Sequence, residues 1–532
     1  MKLPRASARL WLERMRSIVN DVAFTPVGRR TALGVGTTLL VVAWVFWILA
    51  RHLTYSDWSP DESFFVWEGW SINRGLVPYR DFFDFKPPVI FLSNALALRW
   101  LGLAHNHYRF FFTFLAGSSV VGVAAALLSR RVSRLLVLGL SFVIFTLWLD
   151  PHWHDSSLND AESIGIAFFL LGTASFLFET RARRAADFLG GVLSSLSVLS
   201  KEPMALCVLP MWMAMLSLAY ARLDGREAAL RFIKASLAGV ALVLVMLVGY
   251  FVGTGSLGAY IAALRMYAPF AKTICTTYGL WKPSTFLNEW AVRINNLSGA
   301  LVNVTRLGIA VPLLVAPFVL ARGKQWLLTL FAVGTTLGAL YAVTLGGCFF
   351  THYYMLGMAG LFFLMIVGAL LLGQAAQRLG PRVRLYTILA AVLLPAWSLA
   401  PRYLAERDVA YAPPAGTYNV EPDLLKFITD NTTPDDTIFT TGLPALYVHT
   451  NRRHATREAI FFDSWLTLYP GATDEEKLAP IREELERNRP KVIVLEPYLA
   501  KQRVRHMELL ITPFIQSHGY RKIRDNLYLR PD

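Results

Sequence analysis

Two short segments early in the chain carry the side chains best suited to chemistry. Asp61 and Glu62 are adjacent carboxylates in the stretch SPDESFF, and Lys86 follows in the stretch PYRDFFDFKPP. Two carboxylates close together raise the pKa of one of them, which suits a general base working near neutral pH. A lysine ammonium can neutralise negative charge that develops on a leaving group. These residue types therefore fit a group-transfer reaction.

The residues around the two acids predict the start of a helix. Ser59 is a favoured N-cap, Pro60 suits the first helical position, and Glu62 falls three residues after the cap, as in a capping box. Capping accounts for Glu62 and leaves Asp61 to face a cavity. We expect the helix to lie along the membrane interface, where aromatic side chains are favoured. Its aromatic residues are Phe65, Trp67 and Trp70.

The segment around Lys86 is predicted to be a loop. Pro87 and Pro88 hold the backbone extended and delay the next helix. Taken alone, this segment also fits a solvated loop with a snorkelling lysine. Arg80, Asp81 and Asp84 lie in the same segment.

Further ionisable residues interrupt later apolar stretches. DPHWHDSSLNDAES contains Asp160 and Glu162, and its His152, His154 and Asp155 fit either metal ligands or a polar loop. Asp61, Asp160 and Glu162 would suit a hard divalent cation. The Lys201-Glu202-Pro203 break is either functional or an ion pair at a hairpin tip. In the 253–300 loop, Arg265 is either a phosphate contact or an interfacial anchor.

Composition places these residues in a membrane protein. The 532 residues are 55% hydrophobic and only 17% charged, and apolar runs long enough to cross a bilayer recur. We expect about eleven helical spans. They are 31–50, 110–129, 135–149, 162–179, 187–200, 203–220, 235–252, 301–321, 326–345, 355–373 and 384–400.

The basic residues predict the orientation of the chain. They produce a net charge of +15 and cluster in short loops at 130–134, 180–186 and 221–234, the positive-inside pattern of a membrane protein rather than a nucleic-acid-binding surface. An N-terminal basic segment, 1–30, is therefore predicted to be cytoplasmic. The longer loops 51–109, 150–161, 253–300 and 346–354 are predicted to lie outside.

The last part of the chain has a different composition. After a transmembrane catalytic domain, 31–400, residues 401–532 read as a small extracytoplasmic α/β domain. DTIFTTG and KVIVLEPY predict strands, and EEKLAPIREELERN predicts an amphipathic helix. Of the three cysteines, Cys207 lies in an apolar run, whereas the loop residues Cys275 and Cys348 could pair.

Together, the motifs resemble a known superfamily. An Asp-Glu on the first outer loop, then GLVPYRD, then DFKPP is similar to the GT-C membrane glycosyltransferases. The likeness is strongest to the bacterial branch related to protein O-mannosyltransferases and to the aminoarabinose transferases of lipid A. It covers the whole chain, through the first-loop acids, the multi-span body and the external C-terminal part.

The resemblance implies an activated sugar carried on a polyprenyl phosphate, transferred by a hexosyl- or pentosyltransferase. It implies that Asp61 is the acid/base and that Lys86 contacts the lipid phosphate. In GGCFFTHYYMLG, His352 and Tyr353 correspond to a His-Tyr near the lipid cavity. The candidate catalytic residues are Asp61, Glu62, Asp160 and Glu162. The candidate substrate-binding residues are Arg80, Lys86, Lys201, Arg265, His352 and Tyr353.

The expected protein is thus a glycosyltransferase of the bacterial inner (plasma) membrane, with its active site on the periplasmic or extracellular side. Its acceptor would be a lipid, a glycan or a protein, and no nucleic acid would take part. The alternative is a transporter or flippase of a lipid-linked saccharide. Transporters commonly show internal repeats and broken helices near the membrane centre, and the sequence shows no such repeat.

Overall fold

The computed structural model describes residues 58–148, 158–221, 225–266, 310–323, 325–345, 353–378, 420–458, 473–495 and 507–531. These residues fall within one compact unit of the chain, 55–532. They form a mainly helical body followed by a short mixed sheet. The predicted spans 31–50 and 384–400, together with Cys275 and Cys348, lie outside the described residues.

The described part of the body contains twelve α-helices. In chain order they are α1 (Pro60–Asn73), α2 (Val89–Leu101), α3 (Arg109–Ser129), α4 (Arg134–Trp148), α5 (Ala161–Leu177), α6 (Arg183–Ser200), α7 (Ala205–Tyr220), α8 (Gly225–Gly253), α9 (Leu257–Met266), α10 (Ala310–Leu320), α11 (Gln325–Leu345) and α12 (Tyr354–Ala376).

Five helices among the described residues are long and apolar enough to cross a membrane. They are Arg109–Ser129, Glu202–Tyr220, Gly225–Gly253, Gln325–Val343 and Tyr354–Ala376. Each overlaps a span predicted from the sequence. The total of eleven spans, the orientation and the boundary at residue 401 remain predictions.

Helix α8 begins earlier than predicted. The expected span began at 235, whereas the helix begins at Gly225 and has 29 residues. At 1.5 Å per residue it is about 44 Å long, more than the roughly 30 Å of a hydrocarbon core. The basic residues assigned to a loop, among them Arg226 and Arg231, therefore lie on a helical extension. A hydropathy pattern stops at charged residues, whereas a helix can continue through them.

Helix α1 begins where its capping residues predict, but its aromatic face is buried. The Ser59 hydroxyl accepts a hydrogen bond from the Glu62 backbone N–H at 3.1 Å. Phe65 and Trp67 are almost fully buried within the protein, and the position of the helix along the membrane interface remains a prediction. The aromatic residues serve packing here, because large rings bury much apolar area.

Helices α1 and α2 approach each other very closely. A Cβ on Gly69 would lie 2.6 Å from the backbone of Ala95 and from Asn94, so only glycine fits at this crossing. The Asn73 amide donates a hydrogen bond to the Ala95 carbonyl at 2.8 Å. This contact fixes the two ends of the intervening segment, residues 74–88, which carries Lys86.

The C-terminal elements form a five-stranded sheet in the order β2-β1-β3-β5-β4. In chain order the elements are α13 (Pro422–Asn431), β1 (Thr437–Thr440), α14 (Ala445–Thr450), β2 (Arg453–His454), α15 (Asp474–Asn488), β3 (Val492–Val494), α16 (Thr512–Ser517), β4 (Arg521–Arg524) and β5 (Leu527–Leu529). Strand β1 pairs in parallel with β2 and β3, whereas β5 is antiparallel to β3 and β4. The two strands and the helix predicted from the sequence are present as β1, β3 and α15.

The sheet segment packs directly on the first helix of the body. Trp58 stacks on His449 with ring centroids 4.6 Å apart, and Trp67 meets His454 edge-on at 5.2 Å. The backbone N–H of Phe83 donates to the Arg457 carbonyl at 3.1 Å. The C-terminal segment therefore supports both α1 and the loop that precedes Lys86.

Candidate active site

Glu62 is buried in a complete hydrogen-bonding environment. Its carboxylate is 0% exposed and accepts two hydrogen bonds from the Arg109 guanidinium, both of 2.7 Å, and one from the Tyr108 hydroxyl at 2.7 Å. A bidentate arginine pair of this kind is among the stronger hydrogen-bonded arrangements. The Glu62 side chain therefore joins α1 to α3, a role that differs from the capping box inferred from its spacing.

A tight turn holds the backbone before Lys86. The Asp81 carboxylate accepts a hydrogen bond from the Val77 N–H at 2.8 Å, and the Asp81 N–H donates to the Val77 carbonyl at 2.9 Å. Within the turn, Tyr79 has a φ of 66°, a region that side-chain-bearing residues adopt rarely. Its buried hydroxyl donates to the Lys86 carbonyl at 2.6 Å. The turn thus fixes the position of Lys86.

The Lys86 ammonium lies among three phenyl rings. Its Nζ is 4.8 Å from the ring centroid of Phe65 and 5.3 Å from those of Phe64 and Phe85. A cation at this distance from ring faces is attracted to them. This setting differs from that of a lysine that snorkels to water, because aromatic residues of α1 enclose the ammonium group.

Carboxylates keep Lys86 charged in this enclosed position. Burial favours the neutral amine, but the negative charges of Asp84 and Asp61 outweigh burial and hold the pKa of Lys86 above its ordinary value. Asp61 is half-buried at the start of α1. The predicted base and the predicted phosphate ligand therefore lie within electrostatic range of each other.

The segment that precedes α5 is attached to α2 by a reciprocal amide pair. Asn94 on α2 and Asn159 each donate a side-chain hydrogen bond to the other, both of 2.8 Å and both buried. Asp160 follows directly as the buried N-cap residue of α5. Glu162 lies in the first turn of that helix. The amide pair therefore holds both predicted acids next to the α1–α2 segment.

Glu162 and Lys201 form a buried ion pair. The Lys201 Nζ is 2.8 Å from a Glu162 carboxylate oxygen, and both side chains are nearly inaccessible. The same Nζ lies 4.6 Å from the ring centroid of Tyr353. Lys201 ends α6, and a turn of 3-10 helix, Glu202–Met204, leads into α7. The predicted break in the apolar stretch therefore brings Lys201 to an acid and an aromatic ring.

The two clusters act on each other electrostatically. The positive charge of Lys201 repels the positive charge of Lys86. The charges of both Lys86 and Asp61 act on the Tyr353 hydroxyl. Residues from three predicted outer segments and from the end of α6 thus meet in one region. Two cations and several acids lie together there.

The remaining predicted residues lie elsewhere or outside the described chain. Arg80 is exposed, forms a 2.8 Å ion pair with Asp81 and donates to the Thr254 carbonyl at 2.7 Å. Arg265 is exposed near the end of α9. His352, and the 151–157 segment with His152, His154 and Asp155, lie outside the described residues.

The divalent cation suggested by the sequence remains a prediction. Within the described residues, no group of three or more histidine, cysteine, aspartate or glutamate side chains is arranged to hold a metal ion. Glu162, one of the three suggested ligands, lies 2.8 Å from the Lys201 ammonium.

Three features of the site were not assigned from the sequence. Arg109 is the partner of Glu62, the Asn94–Asn159 pair connects two outer segments, and Glu68 lies buried on α1 beside Asp84. Only Glu68 carries a recognisable signal, since it is a single acid within the aromatic stretch FFVWEGW. The other partners are distant along the chain and show no local pattern.

Comparison with known proteins yields structural matches only. No protein-family model matches the chain, and no curated protein sequence matches it. Among solved structures, ArnT from Cupriavidus metallidurans in the apo state matches at a TM-score of 0.49 and 11% identity, over 94% of this chain and 98% of ArnT.

Two structures from Archaeoglobus fulgidus also match. The apo oligosaccharyltransferase has a TM-score of 0.42 and 14% identity, over 86% of this chain and 69% of its own. AglB, in complex with an inhibitory peptide and a dolichol-phosphate, has a TM-score of 0.42 and 15% identity, over 93% of this chain and 74% of its own. ArnT and AglB are GT-C glycosyltransferases. At this level of similarity, the function of the chain rests on its own residues.

Proposed function

We propose that this protein transfers a sugar from a polyprenyl-phosphate donor to an acceptor at the outer face of the membrane. The donor sugar would be a hexose or a pentose, and the acceptor a lipid, a glycan or a protein. The enzyme would reside in a bacterial plasma membrane, with the site on the periplasmic or extracellular side. The first-loop motifs of the sequence and the arrangement of Asp61 and Lys86 support this proposal.

One observation carries the proposal. An ammonium group, Lys86, is held in a cage of phenyl rings within range of the half-buried carboxylate of Asp61. A phosphate attached to a lipid chain has a charged head and an apolar body, and this cage offers a cation together with apolar surface. Group transfer from such a phosphate needs a cation and a base near each other.

Asp61 and Lys86 have different roles in the proposed reaction. A hydroxyl or amine of the acceptor attacks the anomeric carbon of the sugar, and Asp61 takes the proton that it loses. The bond between that carbon and the phosphate oxygen breaks, and the electron pair leaves on the phosphate. Lys86 neutralises the resulting charge. In an enclosed site these electrostatic contributions are larger than in water.

Glu162 and Lys201 have a supporting place in this scheme. Their ion pair is buried beside Tyr353, and removing one member of such a pair leaves an uncompensated charge. We assign Lys201 to the positive environment of the donor phosphate, and Glu162 to holding Lys201 in place. Asp160, brought close by the amide pair, is proposed as a second acid of the site.

The test is turnover by purified protein in liposomes with a polyprenyl phosphate carrying a radiolabelled sugar. Wild-type protein should release the polyprenyl phosphate and label an acceptor from a membrane extract, whereas Lys86→Ala should not. Lys426→Ala is the matched control, because Lys426 is exposed and, among the described residues, pairs only with Asp430 on the same helix. Movement of intact donor across the bilayer without cleavage would contradict the proposal and favour a transporter.

A further inference from the structure

A second buried acid lies on α1 near the candidate site. Glu68 is 0% exposed and its carboxyl contacts that of Asp84, which is 1% exposed. Glu68 comes from the helix, whereas Asp84 comes from the loop that carries Lys86. Neither residue has a part in the reaction scheme above.

The hydrogen bonds of this pair are incomplete in a specific way. Asp84 Oδ1 accepts from the backbone N–H of Phe85 at 2.6 Å and from that of Lys86 at 3.1 Å. Asp84 Oδ2 and both carboxyl oxygens of Glu68 are buried, and no donor from the described part of the chain reaches them. The two carboxyl groups are in contact, and within the described residues these three oxygens receive no hydrogen bond from any other group.

Such a contact becomes a hydrogen bond only when one carboxyl is protonated. Two buried carboxylates side by side would repel each other, and neighbouring acids in this situation titrate as a pair that shares a proton. Burial is the main cause that raises the pKa of Glu68 well above its ordinary value, and the charge of Asp84 adds to this shift. Lys86 acts in the opposite direction, but its effect is smaller.

The protonation of Glu68 changes the charge around Lys86. The other charged or titratable groups that act on the pair are Asp61, Lys86, Tyr79 and Glu202. With Glu68 neutral, the ammonium of Lys86 faces the carboxylates of Asp84 and Asp61. Ionisation of Glu68 would add a further negative charge in a buried region, where screening by water is weak.

We propose that Glu68 and Asp84 share one proton, and that this proton keeps Lys86 available to an anionic phosphate. The two residues are positioning residues, since they act through Lys86 rather than on the donor. Asp84 fixes the backbone of Lys86 through its Oδ1, and protonated Glu68 satisfies Asp84 Oδ2. Donor binding should therefore weaken as pH rises and Glu68 loses this proton. The part concerning the donor rests on the proposed function.

The kinetic test separates binding from turnover. The donor KM of the wild type should rise with pH, by at most about tenfold per pH unit because a single proton is lost, while kcat changes less. Glu68→Gln keeps the shape of the side chain and cannot ionise, so its donor KM should not rise over the same pH range. An equal alkaline rise in the variant would overturn the proposal.

A spectroscopic measurement tests the shared proton without any substrate. Infrared difference spectra at neutral pH should show the C=O stretch of a neutral carboxyl in the wild type and lose it in Glu68→Gln. Asp187→Asn is the matched control, since Asp187 is also buried but pairs with Arg183. Asp187 lies near the start of α6, a helix of 18 residues whose other end leads to Lys201. A band unchanged by Glu68→Gln would overturn the shared proton. Lack of transfer by the wild type would instead contradict the proposed function and leave the band intact.

Discussion

Helix α1 carries two buried acids in opposite surroundings. Glu62 and Glu68 are both 0% exposed and lie about 9 Å apart along the helix axis. Glu62 receives three side-chain hydrogen bonds from Arg109 and Tyr108. Glu68 faces another carboxyl and receives none from the described residues. Burial is thus the same at the two positions, and only the supply of donors differs.

The difference separates an architectural acid from one suited to a change of protonation. A buried glutamate with an arginine partner joins two helices through its hydrogen bonds. A carboxyl without donors can remain buried only by holding a proton, because an isolated buried charge is very costly. The adjacent residue Asp61 is half-buried and near Lys86, so it keeps the access that a base needs. The following predictions test this difference between Glu62 and Glu68.

The largest effect, a loss of folding stability, is expected when the Glu62–Arg109 pair is broken. Arg109→Ala leaves the Glu62 carboxylate buried without its charge partner, and such a loss typically costs about 3–5 kcal/mol of folding free energy. The measurement is thermal unfolding of protein purified in detergent. Arg134→Ala is the control, since Arg134 also opens a helix but is exposed. Equal melting temperatures for the two variants would show that the Glu62–Arg109 pair adds little.

A large effect on turnover is expected at the neighbouring acid. Asp61→Asn removes the proposed base, and loss of a general base typically lowers the rate by about 10²–10⁴-fold. Glu62→Gln should mainly lower the amount of folded protein, since it weakens the contact with Arg109. Turnover is compared per folded molecule. An active Asp61→Asn together with an inactive Glu62→Gln would reverse the assignment of the two acids.

The Glu68–Asp84 pair should make the stability of the protein depend on pH. The pKa of Glu68 is raised in the folded protein, so the folded state binds more protons than the unfolded state above the ordinary glutamate pKa. The free energy of unfolding should therefore fall as pH increases from about 4.5 towards the raised pKa. Glu68→Gln should flatten this part of the stability curve. The same slope in wild type and variant would show that Glu68 ionises normally.

The smallest effect is expected where the sheet segment meets α1. Burial lowers the pKa of His454, whose ring contacts Trp67. The unfolded state then binds more protons just below the ordinary histidine pKa, so stability at this contact is lost as pH falls below about 6.5. Protection factors for hydrogen exchange in α14 and β2, corrected for the intrinsic exchange rate at each pH, should fall on acidification, and less so in His454→Gln. Protection factors that are independent of pH would contradict this expectation.

Local signals in the sequence accounted for the starts of several elements. Ser59 and Pro60 predicted the start of α1, and the polar break at Lys201 predicted the turn between α6 and α7. These features are determined by neighbours within a few residues, through capping and loss of apolar character. The early start of α8 at Gly225 was missed, because a hydropathy pattern detects the membrane rather than the helix.

Partners in the site were harder to predict because they come from distant segments. Glu62 was assigned to capping from its spacing, whereas its carboxylate contacts Arg109, 47 residues further along the chain. Asn94 and Asn159 are 65 residues apart, and neither lies in a pattern that identifies the other. Lys86 was identified by its motif, but the surrounding rings became evident only from the packing of α1. Tertiary contacts decide these roles, and no local pattern encodes them.

The central claim is that Lys86 binds the phosphate of a lipid-linked sugar. The most direct test is mass spectrometry of the lipids that co-purify with the wild type, Lys86→Ala and the control Lys426→Ala. The account predicts a polyprenyl phosphate, with or without its sugar, bound to the wild type and the control and lost from Lys86→Ala. An equal amount of this lipid on Lys86→Ala, or its absence from the wild type in membranes that contain it, would contradict the claim.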